Sequence, residues 1–461
     1  MGSSPSSPVF LYVVLAAGTF YALVVRRDKL RSGFLLFICT LGLGYRSIPV
    51  THYLRIIPAE ILVFVLGLMV VLVRRPGGRP AAAGRPPGWM LALLPFWCWA
   101  WVPAVSGPIS FDLCLVEFLN FLLLLPLYSV TAHVLERPGG WRVTVLYLFA
   151  MSSVLAAVGV FEYRFPEVAR SIPGFAQQAF VIAGEEDRAF RRAGFTFYGC
   201  AIAVFICVVV IPFGMTTWRW WPSPRGRALT AVGVAVQLAA VYISGYRSMW
   251  LLIALQFAAL TLFRRQLWLV VALASCGLFG YTLLPTATRA RVDSLLHVLE
   301  GRPEEVDTSG QKRWLRATEA LDAALANPTG NGWAASGWVH SDFIQIAANQ
   351  GVVPGLIFLG AYLAVLVRLG RAALRRPRGG SGLSALGIPL FLSFIAVGGI
   401  LLFEGVEFLP QTLLPVWVMW VLAEVWLRQL GSRPDARLVA ETSARYVAGR
   451  GVVPRFGRNG R

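Results

Sequence analysis

The chain has 461 residues, of which 57% are hydrophobic and only 14% charged, against about 45–50% and about 25% in soluble proteins. That ratio excludes a soluble multidomain protein, because too few polar groups exist to cover its surface. The formal net charge of +19 comes from 42 Lys and Arg set against 23 Asp and Glu, and the basic residues punctuate the ends of apolar blocks. They form no single basic face, which argues against a nucleic-acid binder.

In chain order, apolar blocks predict membrane-spanning helices over 8–25, 32–45, 56–73, 89–105, 113–134, 143–161, 195–213, 228–244, 248–263, 266–284, 351–367, 386–403 and 411–427. The fold class is therefore an all-α polytopic membrane protein with about 12–13 transmembrane helices. Pro and Gly inside several blocks are tolerated, since neighbouring helices satisfy the freed backbone groups. The organisation expected is N-terminal transmembrane helices over 1–161, then helices with a first long outer loop over 162–284. A large helical loop over 285–350, C-terminal helices over 351–427 and a basic tail over 428–461 follow. The first residues carry no basic region or cleavage site, so no cleaved signal peptide is expected.

Alternating the sides places 28 of the 42 Lys and Arg on one face, which the positive-inside rule makes cytoplasmic. The tail is then cytoplasmic, and segments 162–195 and 285–350 lie outside. Within the second, a helix is expected over 311–326 with Trp314, Ala317, Leu321, Ala324 and Leu325 on one face. Ser309 would cap it, and Asn327-Pro328-Thr329-Gly330 would stop it.

The six cysteines lie in apolar stretches without a CxxC pair, and His52, His133, His297 and His340 have no metal-ligand spacing. No metal and no cofactor is expected. Glu60, Glu117, Glu404, Glu407 and Glu424 read as lying toward span ends, unlike the midplane charges of transporters. Arginines on the outer face stand where the topological rule does not favour them. Arg188, Arg191 and Arg192 precede the span at Phe195, Arg247 sits in a tight turn, and Arg313 opens the outer helix. A guanidinium stays charged and grips phosphate oxygens bidentately. His340 lies where the large loop returns to the membrane, and an ordinary imidazole pKa of ~6.5 suits a general base. Asp342 is a supporting candidate, although i+2 on a helix faces away.

Four motifs then occur in order: Arg191-Arg192-Ala193-Gly194-Phe195-Thr196-Phe197, Ser244-Gly245-Tyr246-Arg247, Arg313 with Asn327-Pro328-Thr329-Gly330-Asn331-Gly332, and His340-Ser341-Asp342-Phe343-Ile344-Gln345. Together they resemble the bacterial O-antigen ligases and their polymerase relatives, a superfamily of lipid-linked glycan transferases of the C type. Tyr198-Gly199-Cys200 replaces that family's asparagine-proline, and Ser341 stands where it usually has asparagine. The resemblance implies a metal-independent, inverting glycosyltransferase in the bacterial inner membrane with its active site facing the periplasm. The donor would be an undecaprenyl-diphosphate-linked glycan and the acceptor a hydroxyl of the lipid A core. Polymerases of lipopolysaccharide or exopolysaccharide repeat units are the alternative within the superfamily, and a transporter or flippase of lipid-linked sugar is the alternative outside it. Carried onto this chain, Arg191, Arg192, Arg247 and Arg313 would bind the diphosphate and His340 would be catalytic.

Overall fold

A computed structural model of the chain describes residues 17–19, 21–25, 28–41, 48–49, 55–56, 58–73, 86–171, 181–182, 190–191, 199–221, 223–264, 289, 308–337, 339–374, 385–403 and 410–431. Six helices or jointed helix pairs are long and apolar enough to cross a membrane: Gly88–Ser106, Phe111–Glu136, Gly140–Arg164, Pro224–Ser244, Val352–Leu374 and Leu413–Leu430. Four shorter apolar helices accompany them, at Ala59–Leu72, Ala203–Gly214, Ser248–Thr261 and Gly387–Phe403. The chain is an α-helical, multi-pass membrane protein. Apart from helices and turns, the described residues hold only two antiparallel two-residue ladders, β1 (Ile48–Pro49) with β2 (Arg55–Ile56) and β3 (Val181–Ile182) with β4 (Phe190–Arg191).

These ten helices fall on ten of the apolar blocks. The expected span at 266–284, most of that at 8–25 and nearly all of the basic tail lie outside the described residues. The described part of the block at 32–45 lies in helix α1 (Lys29–Leu41), of 13 residues. At 1.5 Å per residue its described length is about 20 Å.

The helices used below are α2 (Pro58–Val73), α3 (Gly88–Trp99), α4 (Trp101–Ser106), α5 (Phe111–Leu122), α6 (Leu124–Glu136), α7 (Gly140–Arg164), α8 (Pro166–Ser171) and α9 (Gly199–Thr217). Then come α10 (Pro224–Ser244), α11 (Arg247–Arg264), α12 (Thr308–Ala326), α13 (Asp342–Gln350), α14 (Val352–Leu374), α15 (Gly387–Phe403) and α16 (Pro410–Gly431). Helices α5 and α6 form one span with a joint at Leu123. Pro126 lacks an N–H and crowds the carbonyl of Leu122, which is where the regular ladder breaks.

Helices α9 and α16 occupy the middle of the bundle. Every residue from Ala203 to Ile211 is buried, and so is every residue from Leu413 to Leu427, as expected of helices with no polar stripe to show. Helix α9 packs on α7, α10 and α15, while α16 packs on α6 and α15. Apolar contact alone does not distinguish a helix from lipid, so polar side chains and aromatic rings supply specificity. Gln256 Nε2 donates to the Val208 and Leu392 carbonyls at 3.0 and 3.2 Å, tying α11 to α9 and α15. Tyr362 Oη donates to the Phe394 carbonyl at 3.1 Å, and their rings stack at 5.0 Å. Phe121, Trp417, Phe358 and Trp420 continue an aromatic chain across the core.

At the end of the bundle that the charge rule expects to be cytoplasmic, Arg137 pairs with Asp28, and its Nη2 lies 3.1 Å from His133 Nε2. The Arg31 backbone N–H also donates to Asp28, at 3.2 Å. Partial burial pushes the Asp28 carboxyl up, but the Arg137 and Arg31 hydrogen bonds and the charges of both arginines outweigh it and hold it below its ordinary 3.8. A carboxylate depressed in the folded state stabilises above its unfolded pKa and loses that contribution as pH falls through the folded one. The two side chains are 34% and 40% exposed, so screening keeps the effect within ~0–1 kcal/mol. Arg137→Gln should melt slightly earlier than the unmodified chain at neutral pH, with the gap closing below about pH 4. A gap that widens on acidification would contradict this pairing.

Candidate functional site

The segment 327–341, between α12 and α13, is built from its own turn chemistry. Asn327 Nδ2 donates to the Gly330 carbonyl at 2.8 Å, Thr329 Oγ1 donates to Asn327 Oδ1 at 2.9 Å, and the Gly330 N–H donates to the Asn327 carbonyl at 3.0 Å. These bonds end α12 where the sequence predicts. Gly330 and Gly332 then take φ of +97° and +101°. A Cβ would sit 2.6 Å from the Asn349 carbonyl oxygen at the first and 2.7 Å from the Ala104 nitrogen at the second. Both the handedness and the close approach demand glycine.

That approach lets the backbone bond to its neighbours. The Asn331 and Gly332 N–H groups donate to the Ala348 and Asn349 carbonyls of α13 at 3.1 and 2.9 Å. The Val352 N–H at the start of α14 donates to the Pro328 carbonyl at 2.9 Å. Trp333, fully buried, donates from Nε1 to the Trp97 carbonyl at 3.1 Å and sets its ring beside Phe118 and Phe121. Its carbonyl accepts Cys114 Sγ–H at 3.2 Å.

Glu117 holds this segment from below. It is wholly buried in α5, and its carboxylate accepts the Ala334 N–H on one oxygen and Asn349 Nδ2, at 2.9 Å, on the other. Asn349 in turn accepts the Ser336 N–H on Oδ1 at 2.8 Å. Ala334 is the one described non-glycine residue with a left-handed backbone, φ +62°, and these bonds hold it there. Farther on, Gln345 Oε1 accepts the Val339 N–H at 3.2 Å, immediately before His340.

Glu117 is the seventh residue of the Phe111–Glu136 span, toward its end as expected, and protein rather than water surrounds it. Glu424 is buried as well, accepting Trp89 Nε1 at 3.2 Å and lying 3.9 Å from Arg368. Glu404 and Glu407 lie outside the described residues. The available signal was an ionisable residue seven positions into an apolar helix, with Cys114 and Asn120 at i−3 and i+3 on the same side.

His340 is half-buried one residue ahead of Ser341, the extended N-cap of α13. Asp342 opens that helix and is buried, where the helix dipole favours its charge. Arg313 lies on α12, which packs against α13, and its Nη1 donates to the Phe403 carbonyl at the end of α15 at 2.9 Å. Helix α12 begins at Thr308, so Ser309 sits inside it instead of capping it, and Arg313 is its sixth residue.

The turn expected before Arg247 is present. Gly245 ends α10 at φ +66°, Tyr246 N–H donates to Ser244 Oγ at 3.2 Å, and Arg247 is the first residue of α11. The Arg247 side chain lies outside what is described. Arg191 pairs with Val181 in the β3–β4 ladder, its side chain likewise outside, and Arg192 is wholly outside the described residues. Among the described residues, no three His, Cys, Asp or Glu side chains cluster so as to hold a metal ion. Compared with known protein families and with curated proteins, the chain matches none.

Proposed function

We propose that the protein is a membrane glycosyltransferase of O-antigen ligase type. It moves a glycan from undecaprenyl diphosphate to a hydroxyl of the lipid A core at the periplasmic face of the bacterial inner membrane. The full chain crosses that membrane 12 or 13 times by this reading, with 285–350 as the large periplasmic loop. The observation that carries the proposal is the seating of His340: a lone histidine at the end of a segment clamped by Glu117 and Asn349, at the cap of a helix leading into a span. A positioned base needs such a rigid mount.

In the reaction, the acceptor hydroxyl gives its proton to His340 while its oxygen attacks the anomeric carbon. The bond from that carbon to the diphosphate oxygen breaks, and the electron pair leaves with the diphosphate. A single displacement inverts the centre. Arg191 or Arg192, Arg247 and Arg313 stabilise the developing charge, so no metal is required.

The decisive assay gives the purified protein a lipid-linked glycan in EDTA, with either lipid A-core or a second lipid-linked unit as acceptor. Glycosylated lipid A-core is expected. Elongation of the second unit alone makes the protein a polymerase. Movement of the lipid-linked glycan across a vesicle, without transfer, makes it a transporter. A buried intramembrane carboxylate is the mark that favours this last reading, but both Glu117 oxygens are engaged by the segment they hold.

Arg247→Ala and Arg313→Ala should each weaken donor use roughly 10–100-fold, the worth of a charged hydrogen bond. Lys at either position should retain only part of it, since an ammonium lacks the planar fork. Donor KM and turnover unchanged in both alanine variants would remove these residues from the site.

A further inference from the structure

We propose that helix α12 is an interfacial membrane helix, lying along the outer surface of the bilayer with Trp314, Leu321 and Leu325 facing the boundary between headgroups and acyl chains. The sequence groups Ala317 and Ala324 with these three on one face, but the structure separates them. Ala317, Ala320 and Ala324 pack against α13 and its flanks, around Val339 and Ala348. Trp314, Leu321 and Leu325 point elsewhere and are 74%, 44% and 64% exposed.

At 100° per residue the helix has four sides, one of them carrying exposed Leu315 and Asp322. Trp314, Leu321 and Leu325 share an arc of about 40°, and the alanine face is centred roughly a quarter turn away. Lys312, Arg316 and Glu319, all exposed, lie within an arc of about 60° on the side opposite Trp314. An apolar stripe set against a charged face is the pattern of a helix at a water–lipid boundary. Trp314 is suited to that depth, since indole prefers the headgroup level.

Two tethers orient the helix. Near its start, Arg313 donates to the carbonyl of Phe403, the last residue of α15. Just past its end, the Pro328 carbonyl accepts the N–H of Val352, the first residue of α14. Helix α15 arrives at this face and α14 departs from it, so both tethers are span ends on one side of the membrane. From Arg313 to its end at Ala326 the helix rises about 20 Å, and it runs laterally between the two ends. Both anchors also expose apolar side chains, Val353 and Leu356 on α14 and Leu402 and Phe403 on α15. Lipid covers such positions on a spanning helix, and the α12 stripe offers it the same kind of surface. A helix held at this depth also sets the height of α13, on which it packs.

The test reads fluorescence alone and needs neither donor nor acceptor, so it stands or falls separately from the transferase proposal. The full chain and its Trp314→Phe variant are placed in phosphatidylethanolamine–phosphatidylglycerol vesicles, and the difference between them reports Trp314. Lipids brominated on their acyl chains should quench most of that difference signal, and aqueous iodide should quench little of it. Iodide quenching without bromine quenching, or shielding from both as a protein partner would give, overturns the proposal. Leu321→Asp/Leu325→Asp changes only side chains that point away from α13, so it leaves the α12–α13 contact in place. It should raise iodide quenching of Trp314 at least about twofold, and unchanged quenching overturns the embedding.

Discussion

His340→Ala is expected to lower glycan transfer by roughly 10²–10⁴-fold, the usual contribution of a positioned general base, while donor binding and folding persist. The acceptor hydroxyl is a poor nucleophile, whereas diphosphate is already a competent leaving group. Proton removal is therefore the step that most needs a side chain. In the unmodified protein, transfer should fall as pH drops through the imidazole ionisation, because the protonated ring has no lone pair to accept the proton. The competing role for His340 is structural, anchoring the cap of α13 through a hydrogen bond. His340→Gln separates the two. It retains hydrogen bonding but is not basic, so it should be as inactive as the alanine variant. A folded glutamine variant with near-normal turnover rules out the base.

Glu117→Gln is expected to destabilise the protein by about 1–3 kcal/mol, the worth of one buried polar group left unsatisfied. The direction of each bond explains why so small a change matters. Ala334 N–H and Asn349 Nδ2 both donate to Glu117, and Asn349 has to present its oxygen to the Ser336 N–H. Glu117 must accept on both oxygens, and an amide accepts on only one. Glu117→Ala strands both donors and should cost about twice that, roughly 2–6 kcal/mol. The same logic predicts a rescue. In Glu117→Gln/Asn349→Asp the new amide donates to the new carboxylate, which still accepts Ser336, while the glutamine oxygen accepts Ala334. Thermal unfolding in detergent should show the double variant recovering most of the single variant's loss. Glu117→Gln melting with the unmodified chain, or a double variant worse than the sum of its singles, would mean that this network does not hold the segment.

The sequence alone determined the parts whose cause is local. Apolar runs such as 143–161 and 351–367 emerge as Gly140–Arg164 and Val352–Leu374, because each span must satisfy its own backbone in lipid. The turn at Ser244-Gly245 and the stop at Asn327-Pro328-Thr329-Gly330 were also legible, since left-handed glycines and Asx bonds act within a few residues. His340 could be picked out by its place in the chain, but not the clamp beneath its segment. Glu117 meets Ala334 across 217 positions, and Arg313 meets Phe403 across 90. Nor could periodicity assign the faces of α12. Hydropathy measures escape from water, and an acyl chain offers that as well as a protein core does. Only tertiary packing decided that the alanines meet α13 while Trp314, Leu321 and Leu325 do not, because small side chains allow two helix backbones to approach closely and large ones hold them apart.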